Sequence, residues 1–190
     1  MLYVYYELKM QVYQKGQINN DSNIPEMEMA MIKNEATIKD KHTLDLRNAF
    51  EHRATWFYFL IDEAEKRGVD TQFAKDAIYK CGCFHGENKF PKTDDIKEFA
   101  SAFATEQVKK VFEMDVKTTE DELKIDFHYC PLVAAWKKLT NDEVKISRLC
   151  DIAMDGDRGI ISKYDKFTFE LGDTIANGKP VCQVLIKKVK

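Results

Sequence analysis

The chain has 190 residues, 44 % of them apolar and 32 % charged, with a formal net charge of -3. That length suits one domain with room for a helical extension, and the composition is that of a globular chain with a core. The charge offers no global attraction to nucleic acid or anionic membranes, and no apolar run approaches the ~20 residues of a membrane helix.

Residues 1–25 read as an N-terminal extension of uncertain structure, with Tyr3, Tyr5 and Tyr6 near its start and a polar stretch from Gln17 to Asn23. Glu7 and Lys9, with no small-residue cleavage site, argue against a secretory signal. Five cysteines without such a signal are expected to stay reduced in a cytoplasm. The rest, 26–190, is expected to form one α+β domain, with helices over 26–110 and a sheet with two short helices over 111–190.

From Glu26 to about Lys39 a helix is expected on Met27, Ala30, Met31 and Ala36. Asp40 to Thr43 reads as a break, with Thr43 as the cap of a second helix. In it Phe50, Ala54, Phe57, Ile61 and Ala64 recur at spacings of four and three, with Arg47 off that face and Gly68 as its stop. Asp70 is placed to cap a third helix from Thr71 to about Cys83, ended by Gly86. Thr93 and two aspartates start a fourth, through about Val108, with Ile96, Phe99, Ala100, Phe103 and Ala104 inward.

The period then changes. Strands are expected near 111–117 and 122–129, the second with Leu123, Ile125, Phe127 and Tyr129 on one face. Pro131 opens a short helix to about Leu139, and Asn141 caps another with Ile146, Leu149, Cys150 and Ala153 on one face. Asp155 to Gly159 reads as a loop. Strands follow near 166–171 and 181–189, separated by a turn from Thr174 to Lys179. The architecture is α+β: a helical first half packed on a four-stranded antiparallel sheet.

Phe127 to Cys182 holds three of the five cysteines and the residues best suited to chemistry. His128 and Cys130 are two apart at a strand end, and Cys130 precedes a helix start. A helix N-terminus and a nearby imidazole both favour a thiolate, so the pair reads as an activated nucleophile. The plain alternative is an exposed histidine beside an inert buried cysteine. Cys150 lies on an apolar helix face and Cys182 on an apolar strand face, as core residues do. Asp151, Asp155 and Asp157, with Arg158, either hold a metal, orient a water or form a solvated helix end. Their spacing lacks the glycine and terminal glutamate of a calcium loop. Cys81, Cys83 and His85 form a second sulfur-rich patch without a standard zinc spacing, so no metal and no cofactor is expected.

These residues, in this order, resemble a known family. A strand ends in Tyr129-Cys130, and a helix ends in Leu149-Cys150-Asp151 with Asp155 beyond it. A Phe-rich strand then leads to Thr174-Ile175-Ala176-Asn177-Gly178 and Cys182. The pattern is similar to the L-2-amino-thiazoline-4-carboxylic acid hydrolase family, over about the last 80 residues. The resemblance implies hydrolytic opening of a cyclic amidine, 2-aminothiazoline-4-carboxylate, to an N-carbamoyl amino acid. The positions it carries over are Cys130, Cys150, Asp155, Thr174, Gly178 and Cys182. His128, Pro131 and the Cys81–His85 patch lie outside the pattern, and Gln183 stands where an acidic residue is usual. The closing strand is also distantly similar to small-molecule-binding V4R-type domains.

The resulting expectation is a hydrolase acting on a carbon–nitrogen bond of a cyclic amidine. Either the Cys130 thiolate attacks the ring carbon, assisted by His128, or Asp155 directs a water; both routes expel the ring thiolate. Cys182, Cys150, Asp151, Arg158, Thr174 and Gly178 would line the substrate, whose carboxylate needs Arg158 or Arg53. The rival is a non-enzymatic binding or sensory domain with a cysteine-lined pocket. The expected partner is a small molecule rather than nucleic acid or membrane, and the oligomeric state stays open.

Overall fold

Asp40 starts the first helix: its carboxylate accepts from Thr43 N at 3.0 Å and Thr43 Oγ1 at 2.8 Å, so Asp40 to Thr43 is a cap rather than a break. The computed structural model describes residues 31–189. α1 runs Lys41–Lys66 and stops at Gly68, whose φ of 68° is in the left-handed region. The expected face is inward, with Ala54 and Ile61 buried and Phe50, Phe57 and Ala64 partly so. Arg47, expected off that face, is buried. Its guanidinium donates to the carbonyls of Ile38, Val111 and Lys110 and to Glu113, which supply the polar partners a buried cation needs.

The helix expected up to Lys39 is absent from residues 31–40; its remainder, and the extension 1–25, lie outside the described residues. Other elements take up this segment's backbone donors. Ile32 N donates to Glu143 at 2.8 Å, and Thr37 N and Ile38 N donate to Glu113 at 2.7 and 2.8 Å. Even-numbered residues from Ile32 to Ile38 turn inward, so burial follows a period of two.

α2 spans Gln72–Asn88 and runs through Gly82 and Gly86 instead of ending there. The expected fourth helix is two, α3 (Ile96–Phe103) and α4 (Glu106–Phe112), because Ala104 leaves helical geometry at ψ 63° and Thr105 caps anew. α5 is Pro131–Lys137. α6 is Glu143–Ile161, capped by Asp142 rather than Asn141, and so is a long helix rather than a short one. It continues through Asp155–Gly159, where a loop was expected. Gly156 and Gly159 lie against Gly82 of α2, and Gly86 lies against Ile160; this close contact overrides the low helix propensity of glycine.

The strands are β1 (Met114–Thr118), β2 (Glu122–Phe127), β3 (Phe167–Leu171) and β4 (Cys182–Lys188). They form one antiparallel sheet in the order β1-β2-β4-β3, with Leu123 opposite Ile186 and Phe127 opposite Cys182. Its inner face, with Leu123, Ile125, Val184 and Ile186, packs on Ile96 and Phe99 of α3 and on Tyr164. A second core joins α1, α5 and α6 around Ile61, Trp136, Leu149 and Ile175. Met154 touches both cores. The fold is α+β, as the sequence predicts. No helix among the described residues is long and apolar enough to cross a membrane.

Candidate functional site

Three elements bring three cysteines together. Cys130 is the N-cap of α5, three residues past the end of β2 at Phe127, and Asn34 holds it: its N–H donates to Asn34 Oδ1 at 2.8 Å, and its carbonyl accepts from Asn34 Nδ2 at 2.9 Å. Cys150 sits in the middle of α6, on the apolar face read from the sequence. Cys182 opens β4. All three pack in the helical core and all are free thiols. They are close enough that an anion on Cys130 or Cys182 would disfavour one on Cys150.

Burial controls their protonation. It pushes the Cys130 thiol up, against the opposing pull of the Val133 and Leu132 N–H groups. The expected thiolate is therefore a protonated thiol at rest, because desolvation outweighs the helix N-terminus. Burial raises Cys150 well above the ordinary value, and pushes Cys182 up to about 12. Cys182 Sγ accepts a hydrogen bond from Ile175 N at 3.2 Å. Thr174 and Gly178 build the turn that aims this N–H. Thr174 is buried, and its carbonyl accepts from Asn177 N and Lys179 N at 3.0 and 3.2 Å. Gly178 closes the turn at φ 75°, a conformation that favours glycine.

His128 belongs elsewhere. Its imidazole Nε2 lies 2.9 Å from Asp115 Oδ2, an exposed pair, rather than bonding the thiol of Cys130. Both residues line an open groove of about 570 Å³ that none of the three cysteines lines.

The carboxylate-rich segment is helical and splits by function. Arg158 donates to Asp155 Oδ1 at 2.7 Å and to Asp151 Oδ1 at 3.0 Å, and Lys75 also reaches Asp151 at 2.8 Å. Asp151, Asp155 and Arg158 thus satisfy one another. Asp157 differs. It lies two turns beyond Cys150, on the same side of α6, and burial pushes its carboxyl up to about 6 despite the pull of Arg53 and Arg158. Arg53 of α1 has no ion-pair partner among the described residues, and its guanidinium lies 4.9 Å over the Phe50 ring. It is near enough to act on Asp157, His85 and Cys130 alike. His85 adds a buried Nδ1 without a hydrogen-bond partner, and burial lowers its pKa.

In the sequence Asp157 is one of three similar aspartates; only the register of a helix running on to Ile161 sets it apart. Of the sulfur-rich patch, Cys81 is exposed and Cys83 lies 3.5 Å from the Ser162 hydroxyl. Among the described residues, no three His, Cys, Asp or Glu side chains are grouped to hold a metal ion.

Comparison with known proteins places the chain in a family. The family model for L-2-amino-thiazoline-4-carboxylic acid hydrolase matches residues 47–186, and the chain belongs to that family. No curated protein matches it. Among solved structures it is similar to a trafficking protein particle complex subunit 3 from Naegleria fowleri, a crystal structure covalently bound to palmitic acid. The TM-score is 0.50 at 15 % identity, covering 74 % of this chain and 95 % of that one, a likeness of fold.

Proposed function

We propose that this member of the L-2-amino-thiazoline-4-carboxylic acid hydrolase family opens a cyclic amidine of the 2-aminothiazoline-4-carboxylate class, with Cys130 as the attacking group. The observation that carries the reading is the meeting of Cys130, Cys150 and Cys182 in one core, from three separate elements. Arg53 suits the substrate carboxylate better than Arg158, which two aspartates already hold.

The chemistry follows from the protonated thiol. The Cys130 sulfur bonds to the ring carbon between nitrogen and sulfur, and its proton passes to the ring nitrogen. The ring C–S bond breaks and the departing sulfur takes a proton from the exocyclic amino group, leaving an isothiourea on Cys130 and a free substrate thiol. Water then adds at the same carbon; Asp157 takes one of its protons and returns it to the departing Cys130 sulfur, and the other passes to the imine nitrogen as the carbonyl forms. The product is the urea of an N-carbamoyl amino acid. At neutral pH a carboxyl titrating at about 6 is charged, as a base must be.

The test is to incubate the protein with 2-aminothiazoline-4-carboxylate and follow the new thiol and the carbamoyl product by NMR. Cys130→Ser is expected to lower turnover by ~100-fold or more with the fold intact. Near-normal turnover in that variant would remove the covalent route and leave a water activated by Asp157.

One observation favours a second reading, a non-enzymatic domain that binds a small molecule among its cysteines. All three thiols are pushed up by burial, which suits pocket lining more than resting nucleophiles. The Naegleria protein of similar fold, covalently bound to palmitic acid, is compatible with such a role. A cyclic amidine that raises the melting temperature but is never consumed would select this reading.

A further inference from the structure

One side of α1 carries large apolar residues that none of the described residues covers. Trp56, Phe59 and Leu60 are 58 %, 50 % and 56 % exposed. Single exposed apolar residues are ordinary, but three within five residues of one helix form a patch. Ala49, His52, Trp56, Phe59, Glu63 and Lys66 are all exposed and fall at alternating spacings of three and four. That is the spacing of a helix–helix seam. It is distinct from the buried side of α1, where Ala54, Tyr58 and Ile61 face the core.

We propose that this seam is the two-fold interface of a homodimer, in which α1 packs antiparallel on α1 of a second copy about Trp56. Charge selects both the occupant and the direction. Antiparallel pairing centred on Trp56 sets Asp45 opposite Arg67 of the other copy at both ends of the seam, with Lys66 beside Arg67. Asp45 and Arg67 are exposed and held only by surface pairs, to Lys41 and Glu63, which contribute little and can be exchanged for a new partner. His52 falls opposite Leu60, and the two Trp56 rings meet on the axis. A parallel pair would set Asp45 against Asp45 and Arg67 against Arg67. The face is therefore self-complementary in one direction only, as an isologous contact requires. The small net charge of -3 opposes self-association little.

The test is sedimentation velocity on the full chain from about 1 to 100 µM, a range that brackets a moderate dimer. The expected species has twice the 22.1 kDa chain mass. Trp136 is fully buried, so a red shift of tryptophan emission on dilution reports Trp56 leaving the interface. Trp56→Glu should weaken the dimer by ~30-fold or more with unchanged circular dichroism, as expected of a central tryptophan. Asp45→Arg should weaken it and Asp45→Arg with Arg67→Asp should restore it, which intrahelical effects would not do. A monomer throughout the range overturns the proposal, including one whose Trp56 is shielded from quenchers by residues 1–30. So does a dimer indifferent to Trp56→Glu, or one that the double charge reversal does not rescue.

Discussion

Gly82 of α2 faces Gly156 of α6 so closely that a Cβ on Gly82 would stand 2.0 Å from the Gly156 carbonyl oxygen. The clash is with backbone, so no side chain can turn aside. A Cβ on Gly156 itself would meet only Ile78 Cγ2, at 3.6 Å. Gly82→Ala should therefore cost about 3 kcal/mol or more in a urea melt, beyond the ~1 kcal/mol that alanine returns in helix propensity. Gly156→Ala should match or exceed the unmodified protein. Equal losses in the two would disprove the contact.

That contact also explains what the sequence hid. Read locally, Gly86 and the Asp155–Gly159 stretch are stops, because glycine is a poor helix former. Only the partner helix turns them into a packing surface, and no local period carries that information. Similarly, residues 31–40 have helix-like spacing but spend their N–H groups on Glu143 and Glu113, more than 70 positions away. Elements whose stability is local were legible: the core face of α1, the hairpin, though its second strand stops at Phe127 rather than running on to Tyr129, and the helix that Pro131 opens. Within the site, the apolar patterns around Cys150 and Cys182 placed both thiols inside. The burial that holds them protonated, and the separation of His128 from Cys130, are tertiary facts.

Glu113 anchors the segment before α1 and should behave accordingly. Burial would raise its carboxyl, but hydrogen bonds from Ile38, Thr37 and Arg47 prevail and lower it. A carboxyl held below its ordinary value adds stability at higher pH, and that stability is lost as pH falls through the folded-state value. Glu113→Ala leaves Arg47 buried without its charge partner and should cost ~3–5 kcal/mol at neutral pH. In acid, below the ordinary carboxyl range, the gap between variant and unmodified protein should close. A gap that persists there would mean that packing, not charge, supplies the effect.

Asp157 predicts the opposite pH dependence. Its carboxyl sits at about 6 against an ordinary 3.8, so the folded protein holds that proton more tightly than the unfolded chain. Stability is favoured by the proton at low pH and lost as pH rises through about 6. Asp157→Asn should therefore stabilise the protein by roughly 2–3 kcal/mol at pH 8 and hardly at all near pH 4, measured by denaturant melts. The same variant should lower turnover ~100-fold, and turnover of the unmodified enzyme should fall away below pH 6. Stability gained while turnover is lost would identify a base kept at a cost to the fold. Stabilisation with full turnover would leave the burial intact and remove Asp157 from the chemistry.

Cys182 separates the structural role of sulfur from the chemical one. Its Sγ accepts the Ile175 N–H at 3.2 Å, and Ile175 is fully buried. Cys182→Ala removes the acceptor and strands that N–H away from water, a loss of about 1–3 kcal/mol. Cys182→Ser keeps an acceptor on a shorter side chain and should cost less. Cys150 has the reverse preference. It packs beside Leu149 and Ile146 on an apolar helix face, where alanine removes only a small volume. Serine there adds a hydroxyl to the core, and should destabilise by about 1–3 kcal/mol unless the hydroxyl bonds back to the preceding turn. Melting all four variants tests the assignment through the order of their losses. Alanine should be worse than serine at Cys182, and serine no better than alanine at Cys150. If serine is worse at both positions, the Ile175 N–H does not depend on sulfur, and the Thr174–Gly178 turn loses its stated purpose at the site.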